Sequence, residues 1–304
     1  MMVRSRRRLA VGAITTAALS GRAAARRRAL LAEVRTGQRS PVARDVAPGS
    51  RRMTVVIPAF SEGRRIAATL GEVRAALAEL GTDDLEVIVV DDGSDDDTAE
   101  QARCAGADQV LVLPLNRGKG AAVRAGMLAA RGRTVAFTDA DLSYPPHQLL
   151  RLLAEVEAGY DVVVGSRKHI EATTLVRGRR LRELSGRVFN ALTLAVLLGQ
   201  YRDTQCGLKA FRSDAAQRLF SRARVDGFAF DVEVFHLVER YRLTLKEVPV
   251  ALANSETSSV RVGIDALRML RDLFRIRWWG GRGFYGEAAA PAGADGAPAR
   301  LAGE

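Results

Sequence analysis

Apolar residues along this chain follow two alternating rhythms. Met53–Ile57 (MTVVI), Leu85–Val90 (LEVIVV), Gln109–Pro114, Thr134–Thr138 and Asp161–Gly165 (DVVVG) are short apolar runs, the pattern of buried strands. Between them, Gly63–Leu80, a segment starting near Asp96–Thr98, Gly118–Ala130 and the stretch from Pro146 to Ala158 repeat their apolar positions at helical spacing. Strands alternating with helices of that length predict a mostly parallel sheet covered by helices on both faces, an α/β domain. Beyond residue 170 the rhythm loosens. Leu181–Leu198, Asp214–Phe220, Val232–Tyr241 and Ile264–Trp279 read as helices, and Arg202–Ala210 as a polar turn. Leu243–Val250 reads as an edge strand, because Pro249 cannot serve a central ladder. In the last helix Ile264, Leu267, Leu270, Leu273 or Phe274 and Trp278 share a face that most of the arginines avoid.

Charge changes the picture at the ends of the chain. The net charge is +11, and residues 1–52 hold 13 arginines against only Glu33 and Asp45. The remaining 33 basic and 33 acidic residues cancel, so the excess belongs to a tail and the body is neutral. A basic tail suits anionic lipid headgroups, nucleic acid or plain solvation. The neutral body argues against nucleic acid as a partner. The expected division is a basic flexible tail over 1–52, a folded domain over 53–279, and a Gly/Ala/Pro-rich disordered tail over 280–304. Cys104 and Cys206 form no disulfide framework or zinc pattern, as in a reducing cytosol. No apolar run reaches the ~18 residues of a spanning helix. Leu9–Ser20 is short and flanked by arginines on both sides, which disfavours a cleaved export signal.

Candidate chemistry collects where the strands end. In a parallel sheet of this kind the ligand crevice lies off the carboxyl ends of the strands. SEG follows the first strand, DDGS the second, NRGKG the third, TDADLS the fourth and GSRKH the fifth. Asp139 and Asp141, one residue apart before Pro145-Pro146, suit a divalent cation with hard oxygen ligands, or serve as caps for the helix the prolines open. Asp91 and Asp92 could accept from a base or ribose, although Gly93 and Ser94 would make a turn unaided. Asn116–Gly120 offers backbone N–H groups and Lys119 to phosphate, without the spacing of a P-loop. No GxGxxG follows the first strand, which argues against a dinucleotide-dependent oxidoreductase. Arg167 suits a bidentate phosphate clamp.

These pieces, in this order, resemble the family 2 glycosyltransferases, and among them polyprenyl-phosphate sugar synthases of the dolichyl-phosphate β-glucosyltransferase type. The matching text is VVIPAFSEGRRI, VIVVDDGSDDDT, LNRGKGAAVRAGMLAARG, FTDADLSYPP, VVVGSRKH, DTQCGLKAF, GFAFDVEVFHLVER and KEVPV, across about 53–277. The resemblance implies a GT-A fold with a Rossmann-like sheet. It implies inverting transfer of a hexose, glucose from UDP-glucose, onto a polyprenyl phosphate, with Mg²⁺ or Mn²⁺ held by Asp139, Asp141 and Ser143. GDP-mannose as donor and a soluble acceptor are the alternatives. Pro58, Phe60, Glu62, Asp91, Asp92, Lys119, Ala140 and Gln205 would surround the nucleotide sugar. Arg167 and Asp231 join the catalytic set, and Arg182, Arg187 and Arg261 the acceptor phosphate. Such an enzyme is expected in the cytoplasm, peripheral on the inner face of the plasma membrane. Phe60 stands where many relatives carry Tyr, and Ser143 where mannose synthases carry Gln.

Overall fold

The computed structural model describes residues 41, 43–167, 206–253 and 264–286. Seven strands form one sheet in the order β3-β2-β1-β4-β6-β5-β7. They are β1 (Arg51–Ala59), β2 (Leu85–Asp91), β3 (Gln109–Val112), β4 (Gly132–Phe137), β5 (Val162–Ser166), β6 (Lys209–Arg212) and β7 (Leu245–Pro249). Helices α1 (Ile66–Ala76), α2 (Thr98–Cys104), α3 (Lys119–Ala129) and α4 (Gln148–Glu157) connect the first five strands. Helices α5 (Ser213–Phe220), α6 (Phe230–Arg240) and α7 (Ile264–Gly281) complete the described residues.

Alternation along each strand splits the core in two. Val56, Val135 and Phe137 face α3, α5 and α6, where Phe137 packs with Phe211 and Phe230. Val55, Ile57 and Ala136 face α1 and α4, against Ile66, Leu70 and Leu152. β2 is buried along its whole length, which is why its five apolar residues, interrupted only by Glu86, show no period of two. β7 lies at the edge, as Pro249 requires, and pairs in parallel with β5.

Three expectations change. Lys209 and Ala210 are not turn residues but the start of β6, which runs antiparallel between β4 and β5. A strand of four residues opening on a fully buried lysine carries no apolar signature. Second, the folded body begins before Met53. Arg51 and Arg52 belong to β1, Arg52 pairs with Glu157 at 2.7 Å, Arg44 pairs with buried Asp161 at 2.5 Å, and Ser213 donates to the Pro48 carbonyl. Third, order continues past residue 279. α7 ends at Gly281 and the chain turns so that Tyr285 is fully buried. Its hydroxyl donates to Glu233 at 2.6 Å, and Tyr241 donates to its carbonyl. Arg224 and Val225 give backbone N–H groups to the same carboxylate, whose pKa burial pushes up. The expected helix over 181–198 lies outside the described residues.

His236 on α6 sits between the Tyr285 ring and Gly280, and its Nε2 has no hydrogen-bond partner. Burial, with Arg240 and Arg277 adding repulsion, lowers its pKa to about 4. The depressed value means that neutral histidine is the folded form, so this contribution is complete above pH 6.5 and is lost as pH falls towards 4. Acidification across that window should cost up to about 3 kcal/mol through this group. Urea titrations of the wild type and of His236→Gln should show that slope in the first and a flatter one in the second.

Candidate active site

The end of β4 sets the geometry. Beyond Phe137 the chain leaves the sheet through Thr138, whose N–H still bonds to the Val56 carbonyl, and enters a tight turn at Asp139–Leu142. Ala140 faces the core and its carbonyl accepts from Thr69, so the middle residue of the motif anchors the turn. Asp141 accepts from the Ser143 N–H and hydroxyl, the latter at 2.8 Å. Leu142 takes a positive φ of 45°.

Asp139 meets Lys119 at 2.5 Å, and Lys119 also feels Asp231 and Asp141. Desolvation opposes the Lys119 charge, but these carboxylates outweigh it and hold its pKa above the usual value. Asp231, the second residue of α6, pairs with fully buried Lys209 at 2.7 Å. Lys209 also donates to the Cys206 carbonyl and lies over the rings of Phe137 and Phe235. Burial pushes the Asp231 carboxyl up even though Lys209 and Lys119 pull the other way. Gly207 packs directly on Asp139: a Cβ there would come within 2.3 Å of Oδ2.

Loops from the first three strands close the other side. The Ser61 N–H bonds to Ser94 Oγ, and the Glu62 N–H to Thr98 Oγ1. Phe60 is exposed at the rim and Pro58 is half-buried on β1. Burial raises the Glu62 pKa; Arg65 opposes this, while Asp141 and Asp96 add to it. Asp91 accepts from the Ser94 N–H at 3.0 Å. Asp92 has another use: its two oxygens accept from the N–H groups of Arg117 and Gly118 at 2.9 and 2.7 Å. Through these bonds Asp92 clamps the basic loop.

Within the Asn116–Gly120 loop the N–H groups of Arg117 and Gly118 bond to Asp92, and just beyond it the Ala121 N–H bonds to the Gly118 and Asp226 carbonyls. Arg117 and Arg124 both pair with Asp226. Gly118 has φ +112° and lies against the Asp226 carbonyl, so only glycine fits that approach. Lys119 is the member of the loop that reaches the carboxylates. Arg167 follows β5 at the same end of the sheet. Gln205, Arg182, Arg187 and Arg261 lie outside the described residues.

Among the described residues no three His, Cys, Asp or Glu side chains group as a metal centre. A magnesium-type ion needs fewer protein ligands, since it keeps waters and phosphate oxygens. Asp139, Lys119, Asp231 and Lys209 balance one another and Glu62 pairs with Arg65 at 3.1 Å, which leaves the Asp141 charge in excess. Hard carboxylate donors with surplus negative charge fit a divalent cation. Sequence reading missed Lys209. Its signal was present, a lone lysine inside the DTQCGLKAF segment ahead of an apolar pair, but its partner Asp231 is 22 residues away.

An open sheet with carboxylates at its strand ends and an antiparallel β6 beside β4 is the architecture of a nucleotide-sugar transferase, the GT-A fold. Residues 54–220 match the family described as Glycosyl transferase family 2. The dolichyl-phosphate beta-glucosyltransferase of Drosophila melanogaster is 37% identical over 243 residues, covering 75% of this chain and 74% of that protein. The Homo sapiens protein of the same name is 32% identical over 244 residues, covering 75% of each. Glucosyl-3-phosphoglycerate synthase from Mycobacterium tuberculosis, solved with Mn²⁺, UDP and glucosyl-3-phosphoglycerate, superposes with a TM-score of 0.57 at 23% identity, over 75% of this chain and 80% of that one. The chain belongs to glycosyl transferase family 2, and it is a glycosyltransferase.

Two substitutions test the geometry. Gly207→Ala should displace the Asp139 carboxylate and lower kcat/KM about tenfold to a hundredfold while the melting temperature changes little. Lys209→Met leaves Asp231 buried without its close partner and should cost about 3 kcal/mol or more of unfolding free energy. Equal activity in the first variant, or equal stability in the second, contradicts the contacts described.

Proposed function

We propose that the protein transfers glucose from UDP-glucose to a polyprenyl phosphate with inversion at the anomeric carbon. One observation carries this reading. The Asp139–Lys119 pair, with Asp231 close by, stands at the end of β4 in a chain that aligns over 75% of its length with dolichyl-phosphate β-glucosyltransferases.

The acceptor is a phosphate monoester, already ionised near neutral pH, so no side chain has to remove a proton from it. One of its oxygens attacks C1 of the sugar, the bond from C1 to the UDP oxygen breaks, and UDP leaves with that electron pair. Catalysis then reduces to holding the two partners in line and stabilising charge on the leaving diphosphate. Lys119, kept protonated by its carboxylate neighbours, supplies a fixed positive charge beside Asp139. Asp231, locked by Lys209, borders the same site and is proposed to orient sugar or acceptor. Pro58, Phe60, Glu62 and Asp91 are proposed for the nucleoside side. Gln205, Arg167, Arg182, Arg187 and Arg261 are proposed for the sugar and the phosphates. Asp139 and Asp141, with Ser143 bonded to the second, would hold Mg²⁺ or Mn²⁺, which when bound offsets charge on the diphosphate.

No helix among the described residues is long and apolar enough to cross a membrane. With a lipid acceptor and a water-soluble donor, the proposed location is peripheral, at the cytoplasmic surface of the membrane that holds the acceptor.

Purified protein should transfer glucose from UDP-glucose to a short-chain polyprenyl phosphate in detergent, and less from GDP-mannose or to soluble sugars. EDTA should abolish turnover and Mn²⁺ restore it. Asp139→Asn should lower kcat by about a hundredfold to a thousandfold with the fold retained by circular dichroism. Undiminished turnover in that variant or in EDTA removes the metal role; transfer only to soluble acceptors removes the lipid.

A further inference from the structure

Helix α7 has two apolar faces, and only one is used by the fold. Leu273 and Ile276 are fully buried in the core shared with α6. On the opposite side Phe274 is 65% exposed and Trp278 is 48% exposed, and just beyond the helix Phe284 is 45% exposed. Phe274 and Trp278 are one helical turn apart, and Trp278 stacks on Phe284 with ring centroids 5.5 Å apart, so the three rings form a continuous patch. Arg271, Phe274, Arg275, Arg277 and Trp278 line an open recess of about 610 Å³ on this surface. From Arg268 to Arg282 the chain carries five arginines and one acidic residue, Asp272, which is itself nearly buried and paired with Arg271 and Arg275. Guanidinium groups lie on the rings: Arg282 over Trp278 at 4.4 Å and Arg224 over Phe284 at 5.5 Å.

An exposed aromatic patch rimmed by a single sign of charge marks a docking surface. Its chemistry chooses the occupant. A second copy of this chain would have to set arginine against arginine, whereas a surface of anionic headgroups over acyl chains satisfies both components at once: arginines at the phosphates and rings at the boundary. We propose that the Phe274–Trp278–Phe284 face of α7 and the following turn docks the enzyme on an anionic lipid bilayer. The proposal rests on the lipid-acceptor reading above and says which side of the molecule meets that lipid.

The position of α7 fits the task. It runs beside α6 in the same direction, with the Asp272 carboxylate 3.8 Å from where a Cβ on Gly227 would lie, and Gly280 against His236. Gly227 lies just before α6, whose second residue is Asp231. Trp278 is about 9 Å along α7 from Asp272 at the rise of an α-helix, so this face belongs to the helix that packs on α6 and its Asp231.

The chain has two tryptophans, Trp278 and Trp279, both on α7, so intrinsic fluorescence reads this surface directly. The full-length Trp279→Phe variant, with Trp278 as the single indole, is mixed with phosphatidylcholine vesicles with or without phosphatidylserine and free of polyprenyl phosphate. Trp278 emission should shift to the blue and be quenched by brominated acyl chains with the anionic vesicles only. Phe274→Ser with Phe284→Ser should weaken partitioning about tenfold or more. Arg277→Gln with Arg282→Gln should weaken it about 25-fold, near fivefold for each charge removed. Both pairs should leave transfer in detergent near the wild-type rate. Sedimentation with vesicles while Trp278 emission stays unchanged assigns binding to the basic N-terminal segment and overturns the proposal. So does a dimer in solution that Phe274→Ser dissociates, or wild-type partitioning in both variant pairs. A blue shift without any transfer to polyprenyl phosphate in detergent supports this surface and defeats the acceptor reading instead.

Discussion

Charge compensation in a nearly dry place is the constraint on which this structure rests. Asp139, Lys119, Asp231 and Lys209 bring two carboxylates and two ammonium groups together where β4, β6, α3 and α6 meet. Breaking any one link would strand a charge in low dielectric, an expensive outcome. The sheet order supplies the juxtaposition. β6 lies next to β4, with Phe137 opposite Lys209, so the lysine emerges beneath the turn that carries Asp139. Gly207 then lets the backbone approach the same carboxylate from the side. The four charges sum to zero, and Glu62 has Arg65 at 3.1 Å, so Asp141 is the acid beside them on which the proposed cation would draw.

A second set of contacts keeps the basic loop in place. Asp92 and Asp226 hold it from opposite sides, Asp92 through backbone N–H groups and Asp226 through Arg117 and Arg124. Gly118 and Gly120 permit the approach, since a Cβ on either would collide with the 225–230 segment. The result presents Lys119 as a fixed charge at the start of α3. Preorganisation of this kind is what a leaving-group site requires, because a charge that must reorient during the reaction stabilises little.

Six of the seven strands were legible because each leaves a local trace, and in the first five an apolar run is followed by a polar or glycine-containing loop at the crevice; β6 leaves none. Asp139 and Lys119 could be named for that reason, although not their pairing. What was hidden shares one physical character. Lys209 with Asp231 and Tyr285 with Glu233 are contacts between side chains 22 and 52 residues apart. Neither has a period to betray it. Tyr285 in particular sits in a glycine-rich stretch that composition reads as disordered, yet one buried ring and one hydroxyl bond tie it to α6. Asp92 has a long-range use of the same kind, since its two oxygens meet backbone N–H groups 25 and 26 residues away.

Helix α7 shows why periodicity alone could not decide its role. A helix that merely covers a core needs one apolar stripe. The sequence pattern merged Leu273, Phe274 and Trp278 into one such stripe, but in the fold Leu273 and Ile276 turn inward while Phe274 and Trp278 turn outward. The inward stripe packs in the core, and the outward one stays at the surface. Arginines stacked on the outward rings explain how they persist in water, because a guanidinium on a ring face covers apolar area and stays hydrated at its edge. The proposed donor dissolves in water and the proposed acceptor does not, so the proposed reaction joins two phases. The crevice at the strand ends serves the first, and the outward stripe of α7 is chemically suited to the second.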